Sequence, residues 1–107
     1  MLGSLDGEWG RALAMSLAAL LETEDHPEVV REGLRALGRI GTPDALQALQ
    51  RAAAGGNPRL SRPQQLLAIE SLGVAGAPAA VILRTLAQGG DREITESATR
   101  ALEALPA

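Results

Sequence analysis

Few residues in this chain are of a type that could carry chemistry, and their spacing limits what each can do. His26 is the only histidine and lies among Glu24, Asp25 and Glu28. An imidazole beside carboxylates is a possible start of a metal site, but a closed coordination shell needs further ligands from elsewhere. No His–Glu pair of the metal-binding kind occurs, so His26 reads as an exposed residue at a helix start. Ser4, Ser16, Ser61, Ser71 and Ser97 have no histidine placed to activate them, and no Gly-x-Ser-x-Gly elbow is present. The chain contains no cysteine, which removes disulfides, thiolate nucleophiles and thiolate-bound metals. A Gly-x-x-x-x-Gly-Lys phosphate loop is impossible without lysine, and all 10 basic residues are arginines. These observations predict a chain that is not an enzyme, with no catalytic residue, cofactor or metal.

Two further features point toward binding. Arg31, Arg35 and Arg39 recur every fourth residue and form a ridge along one helix face, a spacing that suits phosphate contacts. Against that, Glu28 and Glu32 lie one turn earlier, the net charge is −3, and the chain lacks Phe and Tyr platforms for base stacking. The ridge therefore reads as a solvated face, with nucleic-acid binding as the alternative. Trp9, the only aromatic residue, packs as the outermost core residue of the first helix or anchors a partner at an open end.

The elements that would position these residues are written in aliphatics. The chain is 46% hydrophobic, mostly Ala, Leu, Val and Ile, which suits closely packed helices. No apolar run reaches the roughly 20 residues needed to span a bilayer. No basic stretch precedes an apolar one at the N-terminus, so the expected location is cytoplasmic. The all-arginine basic set with abundant Ala, Leu, Gly and Pro points to a GC-rich bacterial source.

An internal repeat organises the chain. Leu37-Gly38-Arg39-Ile40-Gly41-Thr42-Pro43 recurs as Leu72-Gly73-Val74-Ala75-Gly76-Ala77-Pro78, 35 residues later. The second glycine of each copy can take the left-handed conformation that ends a helix. The proline two places on suits the first position of the next helix, with Thr42 as an N-cap. A weaker third copy pairs Glu93-Ile94, Arg100-Ala101-Leu102 and Leu105 with Glu28-Val29, Arg35-Ala36-Leu37 and Ile40. Six antiparallel helices follow: 6–23, 27–40, 43–54, a fourth capped by Ser61 with Gln64, 78–88 and 91–105. Asp25 and Glu28 are expected to form a capping box for the second. In the first, Trp9, Leu13, Ser16/Leu17 and Leu20/Leu21 are expected to face inward.

At Val30-Arg31, Leu34, Ala36-Leu37-Gly38, Ile40-Gly41, Pro43, Ala45-Leu46 and Leu49 the sequence resembles the HEAT-like repeats, in particular the short bacterial kind related to phycobilisome lyase repeats. The second copy departs from the pattern with Gln64-Gln65 where a Val-Arg pair is usual. The resemblance implies an all-α, short right-handed solenoid over residues 1–107. Residues 1–24 would be a degenerate first repeat or cap, 25–54 and 60–89 repeats, and 90–107 a half repeat or cap. It also implies that the first, third and fifth helices line a concave face. That face would carry Arg11, Met15 and Glu22, then Asp44, Gln47 and Arg51, then Arg84 and Gln88, with Trp9 at an open end. The expected function is a non-enzymatic scaffold that binds a protein partner, or a second copy as a homodimer. An accessory role in phycobilin lyase-like chemistry is a further alternative. Incomplete repeats at both ends fit either a whole small protein or a piece of a longer solenoid.

Overall fold

A computed structural model describes the backbone of residues 2–105 and the side chains of residues 9–105. Met1, Pro106 and Ala107, and with them the outer limits expected for the end repeats, lie outside the described residues. The described residues form six α-helices: α1 (Leu2–Thr23), α2 (Pro27–Ile40), α3 (Pro43–Ala53), α4 (Arg62–Ala75), α5 (Ala80–Ala87) and α6 (Arg92–Ala104). A short 3₁₀ turn, Ala77–Ala79, precedes α5, and no strand occurs among the described residues.

The helix boundaries follow from local chemistry. Gly41 ends α2 at φ 65°, a left-handed conformation that a side chain would strain. One residue later the Thr42 hydroxyl accepts from the Ala45 N–H at 3.3 Å and opens α3. Ser61 and Gln64 make the expected capping box, the Ser61 N–H donating to Gln64 Oε1 at 2.8 Å. Gly76 has positive φ as well (84°), but its ψ of −146° is an extended, glycine-only conformation. The chain therefore leaves α4 through the 3₁₀ turn, and α5 begins two residues later than Pro78 would suggest.

Two expectations are corrected. Asp25 does not cap α2; His26 occupies the N-cap position and makes no side-chain cap bond. Pro27 stands at the first helical position, which fixes the cap at residue 26. Asp25 is left one position outside and pairs instead with Arg59. In α1 the buried stripe is Ala14 and Leu21, with Leu17 beside them. Trp9 and Leu13 remain 70% and 49% exposed, so Trp9 is not a core residue. The small side chain of Ala14 lets α1 seat against its neighbours in this phase, with Gly10 against Ile40 and Thr42.

The core is a continuous layer of aliphatics between two rows of helices, with Leu34, Leu37, Leu49, Ile69, Leu72 and Leu83 fully buried. Helices α2, α4 and α6 form one row and α1, α3 and α5 the other. The α2 row is the tighter one. A Cβ at Gly38 would lie 2.5 Å from the Ser71 carbonyl oxygen, so the backbones of α2 and α4 nearly touch there. In the second row α1 and α3 meet more loosely, and α5 packs on α6 and α4.

Candidate interaction surfaces

The expected binding residues separate into three places. Arg11, Met15, Glu22, Asp44, Gln47 and Arg51 come together on α1 and α3. The other two sets, Trp9 and the pair Arg84 and Gln88, lie elsewhere.

Helices α1 and α3 enclose a groove of about 410 Å³. Its floor is made of small or aliphatic side chains, Ala14, Leu21, Ala48 and Ala52, with buried Asn57 at one end. Met15 and Gln47 project from its rims. An ion pair bridges each end: Arg11 Nε lies 3.6 Å from Asp44 Oδ2, and Arg51 Nη2 lies 3.3 Å from Glu22 Oε1. The pairs occur in the same order along both helices, so α1 and α3 run parallel. Eleven residues from Arg11 to Glu22 give the groove a length of about 16 Å, three helical turns. Such exposed pairs each contribute on the order of 0–1 kcal/mol to stability. Their larger effect is to place opposite charges at fixed points beside an apolar floor.

Asn57, which the sequence does not single out, holds the end of this groove. Its Nδ2 donates to the Leu21 carbonyl at 2.8 Å, and its Oδ1 accepts from the Arg59 N–H at 3.0 Å. Arg59 then donates to the Thr23 carbonyl at 3.2 Å. The α3–α4 loop is thereby fastened to the C-terminal end of α1, where helix carbonyls lack intrahelical partners. Only the run Gly55-Gly56-Asn57-Pro58 marks a loop in the sequence; no local pattern points to contacts 36 residues away.

Arg84 on α5 and Gln88 just after its end are exposed, and neither lines the groove. On the α2 ridge Arg35 pairs with Glu32 at 3.1 Å, and Arg35 and Arg39 together border a shallow hollow with Leu67, Glu70 and Val74. His26 is exposed, and its backbone N–H donates to Glu24 Oε1 at 3.1 Å. No group of three His, Cys, Asp or Glu side chains is placed to hold a metal among the described residues. No helix among them is long and apolar enough to cross a membrane.

Among the described residues, Asp91 is the group held clearly away from its ordinary acidity. The Ile94 N–H donates to its carboxylate at 3.2 Å and Arg62 Nη2 at 2.7 Å, and both hold it below the ordinary aspartate range. Its role is to cap α6 and tie it to the start of α4.

A stack of antiparallel helix pairs, each touching its neighbours and turned by a Gly-x-Pro punctuation, is an α-solenoid. The family model for HEAT repeats matches residues 1–64, more than half of the chain, and the chain belongs to that family. The match covers α1 to α3, the loop after them and the first turn of α4; the rest of α4, α5 and α6 continue the same two-row arrangement beyond it. Comparison with curated proteins and with solved structures finds no match.

Proposed function

We propose that this chain is a protein-interaction scaffold that binds an amphipathic helix of a partner protein in the groove between α1 and α3. The observation that carries this reading is the groove itself: an alanine floor three turns long with a fixed ion pair at each end. Alanine leaves depth for larger apolar side chains spaced i, i+4 and i+7 on an incoming helix. The Arg11–Asp44 and Glu22–Arg51 pairs offer both signs of charge at the rims for its polar flanks. Met15 and Gln47 would contact its flanks, and Trp9 marks a second contact at the open end of the stack. Arg84 and Gln88 would take part only with a partner long enough to reach α5. The scaffold's part is preorganisation: rigid packed helices lose little freedom on binding.

The test replaces floor residues without touching the core. Ala48→Glu and Ala18→Glu, both at half-buried positions, put a charge into the groove. Partner protein captured by the wild-type chain should be lost with either variant, and amide exchange in α1 and α3 should slow when the partner is bound. Equal capture by wild type and both variants would sink the groove as the binding site.

A further inference from the structure

We infer that the outer face of α1 is a self-association surface, on which a second copy of this chain packs with the two α1 helices antiparallel. This names the occupant of the open end in the scaffold reading and rests on that reading for the end alone, not for the groove.

The face is apolar over its described length. With Ala14 and Leu21 turned inward, 3.6-residue periodicity puts Ala12, Ser16 and Ala19 on the far side of the helix. Trp9 and Leu13 form one shoulder, and Met15, 62% exposed, forms the other. Among the described residues, three of the six large exposed apolar side chains thus fall on this one helix, which marks the end of the stack as an interface. The small central residues allow a second helix axis to come close, and the shoulders give it something to pack against.

The other end of the stack decides against head-to-tail growth. The exposed side of α6 carries Arg92, Glu93, Glu96, Arg100 and Glu103, with Arg92 and Glu96 paired at 3.1 Å. Packing the apolar α1 face there would desolvate these charges with no partner for them. A two-fold arrangement sets apolar surface against its own copy and closes after two chains.

Charge then selects the direction. Arg11 and Glu22 lie three turns apart on the same flank of α1. In an antiparallel pair centred on Ser16 like flanks meet, so Arg11 of each copy comes beside Glu22 of the other. A parallel pair would set Arg11 against the Trp9/Leu13 shoulder instead.

Light scattering over a concentration series reads the mass, and Trp9, the only strong fluorophore, reads the interface. The mass should double, and Trp9 emission should move to shorter wavelength over the same concentration range. Ser16→Arg puts two guanidinium groups together at the dyad while leaving the groove residues in place. It should raise the dissociation constant about tenfold or more, as a loss of even a modest contact would. Arg11→Glu should weaken association. A monomer at every concentration, continuous growth beyond a dimer, or a dimer with unchanged Trp9 emission would each overturn the proposal. An unchanged dissociation constant for Ser16→Arg would do the same. If Ser16→Arg lost helix content, the wild-type emission shift alone would decide. Partner capture by monomeric Ser16→Arg tests the groove separately, so either idea can fail while the other stands.

Discussion

At the scale of single residues, the repeated Leu-Gly dipeptide does two different jobs with the same letters. A helix-interior glycine costs about 0.5–1 kcal/mol relative to alanine, so Gly→Ala starts with a small gain. At Gly38 that gain is overridden, because the new methyl would meet the Ser71 carbonyl oxygen at 2.5 Å and a backbone atom cannot swing aside. Forcing α2 and α4 apart should cost about 1–3 kcal/mol, so Gly38→Ala should lower the urea midpoint. At Gly73 the methyl meets only the Ala101 Cβ at 3.5 Å, an ordinary contact. Gly73→Ala should leave the midpoint unchanged or raise it by up to about 1 kcal/mol of stability. Shifts of the same sign in both variants would contradict this account of the row spacing. The repeat reveals both glycines from sequence, yet nothing in the sequence separates them. The difference is a distance between helices, which depends on Ser71 and Ala101 lying opposite.

At the scale of elements, most of the fold was legible because each boundary is written locally. Thr42, Ser61 and Gly41 act where their chemistry says they should, and Val30, Leu34, Leu37, Leu46 and Leu49 are buried as their spacing requires. The phase of α1 was not legible. Ala14 outranks Leu13 and Trp9 for the inner stripe because closeness to two neighbouring helices favours a small residue, and apolarity alone does not reveal that. The groove residues on α1 and α3 were legible as a helical stripe; their separation from Arg84 and Gln88 depends on how α5 leaves Gly76. Asp91 provides the element-scale test. Its folded acidity is lowered, chiefly by the Ile94 N–H and then by Arg62, so its contribution is fully present above the unfolded value of about 3.9. That contribution is lost as pH falls through the lower folded value. Asp91→Asn keeps a capping oxygen but loses the charge. Stability of this variant measured from pH 5 down to pH 2 should therefore fall less steeply than that of the wild type. Parallel curves would show that Asp91 does not link α6 to acid unfolding.

At the scale of the whole molecule, a solenoid distributes its stability through neighbour contacts, without a single centre. Helix α4 packs between α2, α3 and α6, whereas α1 has only α2 and α3 beside it and an uncovered outer face. The Asn57–Leu21 and Arg59–Thr23 hydrogen bonds therefore matter most to an end element with only two helix neighbours. Removing the Asn57 side chain leaves the Leu21 carbonyl facing a buried site without its donor, which costs about 1–3 kcal/mol. In a globule with one cooperative core that loss would be shared by every amide. Here it should fall on the N-terminal end first. In Asn57→Ala, amides of α1 should exchange faster while those in the middle of α4 keep nearly the wild-type rate, measured by hydrogen exchange under native conditions. Uniform acceleration from α1 through α6 would mean the stack opens as one unit. Confinement to α1 would mean that the groove and the self-association face both rest on the part of the molecule that opens most readily, and that a partner bound at either one would stabilise α1 in proportion to its affinity.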